Sequence, residues 1–259
     1  MSMPLFLDSF AALLPTGMYS PQGHVLWKPD QRAPEDVDRS QVLDKPYPGF
    51  GKLQIADKLA FSAVSLMLRT CTVTKGQECG ICIGNATGSL STDFRYWESV
   101  IDGFPSPSIF SATLPSSPVT DIAIYFGLKG PNRVIAGQNA SGICALSEAM
   151  MILNRKKATT MLVISLNALE GVDRHSRLVP ALLQPSNRAY SFMITSKKND
   201  CGLGLQISAQ FDVAQKTLHD DSQGEHFDRF IDMLMKKQYG RMNFAIEDYS
   251  GFISIEKDA

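Results

Sequence analysis

The chain has 259 residues, 44% of them hydrophobic and 20% charged, enough to enclose a substantial core in one large α/β domain or two small ones. Lysine plus arginine (25) nearly balance aspartate plus glutamate (26), so no field of one sign points to nucleic acid or to a lipid surface. The apolar N-terminus MSMPLFLDSFAALLP lacks a basic leader and no uninterrupted apolar run reaches the roughly 18 residues of a membrane span, so the expectation is a cytoplasmic protein with no span.

In chain order, residues 52–69 place Leu53, Ala56, Leu59, Ala60, Ala63, Leu66 and Met67 at helical spacing. A buried strand over 80–84 follows, then the turn Asn85-Ala86-Thr87-Gly88 and a helix over 91–102. Residues 104–118 are rich in proline and serine. They read as ordered irregular chain because Phe104, Ile109, Phe110 and Leu114 interrupt the polar run. A helix over 119–127, a strand over 132–136, a helix over 140–155 and a strand over 160–166 come next. The strands are continuously apolar, which suits a sheet covered on both faces. Residues 172–188, with Arg174, His175, Arg177 and Arg188, read as loop. The runs AYSFMITS and GLGLQISAQ read as a hairpin across the polar turn from Lys197 to Gly202. The acidic stretch 219–228 reads as solvated loop, followed by a helix over 225–237 and a last strand near 243–247.

Five scattered cysteines fit reduced thiols better than a disulfide framework. Cys79 and Cys82 form a C-x-x-C inside a strand, where residues three apart point to opposite faces, and no second pair follows. Neither a metal site nor a cofactor is therefore expected.

The stretch AGQNASGICAL, residues 136–146, has the layout of a nucleophile turn: a β-branched strand breaks at Gly137 and a small-residue helix starts near Ala140. No nucleophile stands at its tip. Asn139 has no ionisable proton, but its amide oxygen can accept from the N–H groups at 141 or 142 as a helix cap. Cys144 lies about 140° further round an ideal helix, too far to substitute. A G-x-S-x-G elbow at Ser141 would require glycine at position 139.

Taken in order, YPGFGKLQIADKLAFSAVSL, GICIGNATGSL, PSIFSATLPSSPVTDIAIYFGLKGP, VIAGQNASGICALSEAMMIL and TTMLVISLNALEGV resemble the N-terminal half of β-ketoacyl-acyl-carrier-protein synthases. The resemblance implies a thiolase-like α/β fold with a truncated C-terminal half and a mixed five-stranded-type sheet covered by helices. It implies a domain over 1–218 and a short remnant of the second half over 219–259. In the family the elbow typically carries the acyl-accepting cysteine in Thr-Ala-Cys-x-Ser-Gly; here Asn139 stands in register with it and Gln138 beside it. The family's C-terminal histidines, which stabilise the enolate, are also missing. His24, His175, His219 and His226 lie in unrelated contexts, and Ser250 stands where the first catalytic histidine would.

What the resemblance then implies is a catalytically inactive chain length factor of the aryl polyene type, with no cofactor. It would pair with an active ketosynthase subunit and meet acyl carrier protein through that complex. The alternative is a malonyl decarboxylase using an amide in place of the cysteine. The same likeness makes Asn132, Arg133, Val134, Ile135 and Ala136 the interface strand, and Phe110, Phe104, Ile109 and Leu114 candidates for a gate that closes the product tunnel.

Overall fold

The first strand of the computed structural model, β1 (Leu5–Leu14), is buried along its whole length. Residues 4–71, 73, 78–136, 140–169, 187–198, 203, 205–213, 223–246 and 249–257 are described. A short antiparallel ribbon, β2 (Gly17–Ser20) and β3 (Gly23–Val25), hangs from the end of β1. Helix α1 (Arg39–Val42) is a single turn closed by a capping box between Asp38 and Gln41. Helix α2 (Ile55–Met67) leads to β4 (Cys79–Asn85). Three helices, α3 (Leu90–Ile101), α4 (Pro107–Ser111) and α5 (Ser117–Phe126), then carry the chain to β5 (Asn132–Ala136). Helix α6 (Ser141–Asn154), β6 (Thr160–Asn167), β7 (Arg188–Thr195), β8 (Leu205–Val213), α7 (Gln223–Met235), β9 (Gly240–Ile246) and β10 (Tyr249–Lys257) complete the described elements.

All ten strands belong to one sheet, whose main path runs β5-β4-β6-β7-β1-β8-β10-β9. β4 is parallel to β5 and β6, and the remaining neighbours are antiparallel. The mixed five-stranded sheet expected from the sequence is β5-β4-β6-β7-β1, and the C-terminal strands prolong it with β8-β10-β9. Two cores flank it. On one face α6 and α7 pack against Phe10, Cys82, Val163, Tyr190 and Phe192. On the other, α2 and α5 pack against Leu13, Ile81, Ile83, Leu162 and Met193.

Three readings of the sequence change. The runs around β7 and β8 are strands, but they are not a hairpin, because β1 lies between them and pairs with both. The connection passes the start of β1, where Leu203 N donates to Asp8 O at 2.7 Å. Local polarity marks a turn but not which distant strand fills the gap, and the apolar decapeptide wins that place by burying both its faces. The acidic stretch 219–228 is helical from Gln223 onward, not solvated loop: Phe227 is fully buried, and it continues with Phe230, Ile231 and Leu234 as one apolar stripe. The segment 104–118 also holds one helical turn, α4, set by Pro107 at its start and by Ser106 Oγ accepting from Ile109 N.

Candidate functional site

The described parts of the elbow lie at one end of the parallel strands, where the C-terminal ends of β4, β5 and β6 meet the start of α6. The approach is close: a Cβ added to Gly84 would sit 2.1 Å from Ser141 O, so only glycine lets the helix press onto β4. Around it lies a buried polar ring. Asn85, at the end of β4 and 1% exposed, donates to Gly88 O at 2.7 Å and accepts from Thr87 N at 3.2 Å. Thr87 Oγ1 and Ser91 Oγ each lie 3.2 Å from Ala168 O, beyond the end of β6. Asn187 accepts from Leu169 N and donates to Glu35 Oε1, tying the chain after β6 to the residue before β7. These side chains fix the strand ends.

Helix α6 begins at Ser141, 2% exposed, and its cap position is Ala140, whose side chain has no acceptor. Gln138 and Asn139 lie outside the described residues, as do His175, His219, Arg174 and Arg177. Cys144 is half-buried on α6. His24 stacks on Tyr19 with ring centroids 4.1 Å apart, beside the β2–β3 ribbon. His226 falls in α7 and Ser250 in β10.

Cys79 and Cys82 are both fully buried on opposite faces of β4, in the α2-side and α6-side cores respectively. Burial pushes each thiol up to about 12, with the Glu148 charge adding to it at Cys82. They cannot share a metal, and no metal-ligating group of side chains occurs among the described residues.

β5 is an edge strand with β4 as its neighbour in the sheet. Asn132, Arg133 and Ala136 are exposed and Val134 and Ile135 half-buried, while Arg133 Nε pairs with Glu148 at 3.3 Å. Phe104, Phe110 and Leu114 are exposed and Ile109 is half-buried, with the Phe110 ring 5.1 Å from Tyr96. Sequence reasoning missed their continuation on α3: Trp97 and Ile101 are also exposed. Its signal was there, since Trp97, Val100, Ile101 and Phe104 follow helical spacing.

The profile of the β-ketoacyl synthase N-terminal domain matches residues 55–193, more than half of the chain. The chain belongs to the β-ketoacyl synthase family. No curated protein sequence matches it. Among solved structures this ketosynthase-family chain is similar to one from the ketosynthase (ApeO) complex with its chain length factor (ApeC) from Xenorhabdus doucetiae. That match has a TM-score of 0.67 and 14% identity over 96% of this chain and 99% of that one. The ishigamide ketosynthase/chain length factor matches with a TM-score of 0.63 and 18% identity over 82% of this chain and 68% of that one. A chain of a type II acyl-carrier protein complex with its ketosynthase (AntDE:AntF) aligns over 100% of both chains, at TM-score 0.67 and 13% identity. At these identities the likeness establishes the thiolase-like ketosynthase fold. Among the described residues no helix is long and apolar enough to cross a membrane.

Proposed function

We propose that this chain is a non-catalytic, ketosynthase-like chain length factor that pairs with an active β-ketoacyl synthase and sets the length of a polyene or polyketide product. The observation that carries the reading is an elbow kept as architecture without its chemistry. Gly84 still admits α6 against β4, yet the tip reads Gln138-Asn139, an amide where the family's thiolate would be activated by the helix N-terminus. An amide supplies no nucleophile, and the four histidines of the chain stand outside the family's catalytic contexts.

Pairing is supported by the exposed β5 edge, which carries unpaired backbone groups beside Val134 and Ile135. It is supported also by the end-to-end likeness to a chain of a ketosynthase and chain length factor complex. Joining β5 to its counterpart would continue the sheet across two subunits. In that pair α3 and α4 would bring Phe104, Ile109, Phe110 and Leu114 toward the tunnel, and acyl carrier protein would be met through the complex. Residues 1–218 serve as the ketosynthase-like part and 219–259 as the remnant of the second half. The aryl polyene setting and the cytoplasm are parts of the same proposal.

The test is co-expression with a full-length ketosynthase that retains its cysteine and histidines, followed by size-exclusion chromatography. A one-to-one complex is expected, with poor solubility of this chain alone. A stable monomer that ignores ketosynthases overturns the reading.

A further inference from the structure

The β2–β3 ribbon does not close completely on the helices beneath it. Met18 pairs with Val25 and Ser20 with Gly23, so these residues share one face of the ribbon. Between that face, Leu66 in the last turn of α2, Arg69 just beyond it and Gln41 of α1 lies a cavity of about 270 Å³. Met18, Val25 and Leu66 give it apolar walls. The ribbon hangs from β1, which β7, β6 and β4 separate from β5 in the sheet, so the cavity belongs neither to the elbow nor to the β5 edge.

Its polar side is built on Arg69. Nη1 donates to Gln41 O at 2.8 Å, which fixes the guanidinium against the α1 wall. Nη2 pairs with Asp44 Oδ1 at 3.1 Å, while Nε, on the same edge of the fork, is buried and has no acceptor. That edge of an arginine matches the two oxygens of a carboxylate, and Asp44 fills only half of it. A buried donor left unpaired is unfavourable. The side chain of Asp44 is 76% exposed, so its hold on Nη2 is weak and readily exchanged. A second donor lines the same cavity: Ser20, 5% exposed, accepts from Gln22 N at 3.3 Å, and its hydroxyl proton has no acceptor among the described residues.

We propose that this cavity binds a small monocarboxylate with an apolar tail. The carboxylate displaces Asp44 and takes Nε and Nη2 together, and the tail lies against Met18, Val25 and Leu66. Asp44 decides the class of anion, because the edge already holds a carboxylate oxygen. The walls decide the rest, since inorganic phosphate has nothing to place on them. Binding there does not depend on ketosynthase pairing.

Isothermal titration calorimetry of the full chain, alone or co-purified with its ketosynthase, would use hexanoate, butyrate, acetate and inorganic phosphate as probes, each variant being read against the parent in the same form. Hexanoate is expected to bind saturably, with affinity rising by up to about fourfold for each methylene from acetate to hexanoate. Arg69→Gln should weaken hexanoate by at least about tenfold. Asp44→Asn removes the competing carboxylate and should tighten it by about threefold. Val25→Ser should weaken hexanoate by about fourfold and leave acetate unchanged. Asp44 and Val25 are exposed, so their variants keep the test decisive if Arg69→Gln does not fold. The proposal is overturned by the lack of saturable hexanoate binding, by equal binding to parent and Arg69→Gln, or by unchanged or weaker binding to Asp44→Asn. Arg69-dependent binding of phosphate without binding of hexanoate overturns it as well.

Discussion

Replacing Asp57 with asparagine removes a carboxyl that the fold buries at a cost. Asp57 stands in the first turn of α2, 3% exposed, where α2 packs on α5. Burial pushes its carboxyl up from 3.8 to about 7, with the Asp121 charge adding to the rise, while hydrogen bonds with the Ser117 side chain and the Gln54 backbone oppose it. Asp121, across the same seam, is raised too by burial. Between pH 4 and 7 the folded chain therefore holds a proton that the unfolded chain has released, and stability falls as pH rises through that window. At about 1.4 kcal/mol per pH unit, the difference between 3.8 and about 7 amounts to about 4 kcal/mol once Asp57 is fully ionised. An asparagine there would keep the shape without the charge. Urea unfolding at pH 4.5, 6 and 8 should show Asp57→Asn ahead of the parent by only about 1 kcal/mol at pH 4.5 and by up to about 4 kcal/mol at pH 8. A smaller slope from Asp121 should survive in the variant. If Asp57→Asn loses as much stability as the parent between pH 4.5 and 8, or is the weaker of the two at pH 8, burial of the carboxylate is not what drives the dependence.

Four other outcomes can be measured. Phe110→Ala, in the co-expressed complex, should lengthen the products read by mass spectrometry at preserved yield, because removing the ring opens room for several carbons; an unchanged distribution from an intact complex would assign the gate elsewhere. Asn139→Ala should keep product formation by the complex within a few-fold, since an amide supplies no nucleophile and the cap position of α6 is Ala140, not Asn139 as the sequence suggested; loss of turnover from an intact complex would give the amide a role. Asn139→Cys should not gain synthase activity, since the enolate-stabilising histidines are still missing. Cys79 and Cys82, with thiols pushed up to about 12, should resist alkylation at pH 8 until the chain unfolds, and labelling of either at the rate of an exposed thiol would contradict their burial.

Much of this fold was legible because its elements announce themselves locally. The apolar stripe of α2, the continuous strands β4 and β6, and the small-residue start of α6 fell within a few residues of their observed bounds. The amide at position 139 is likewise a matter of one position in a familiar frame, but its placement lies outside the described residues. What the sequence hid depends on partners far along the chain. The decapeptide β1 shows no alternation, because both its faces are buried, and nothing near it tells that β7 and β8 will flank it. The cavity under the β2–β3 ribbon was invisible because Met18, Gln41 and Arg69 come to it from three separate stretches of chain. The exposed face of α3, by contrast, had a readable spacing and was passed over because apolar residues at helical intervals usually mean core.

The central seat of β1 also governs how the chain can be made. It precedes its partners along the chain, and Phe10 must wait for Phe192 and Leu5 for Ile207, each about 180 to 200 residues later. Until then a strand with eight apolar residues among its ten has only the β2 ribbon to pair with. Closing so long a loop is slow, and an apolar strand left open during synthesis invites association with other chains. The elements α2 through β6 lie in the chain between β1 and its neighbour β7, so β1 can take its central place only after all of that intervening chain has been made.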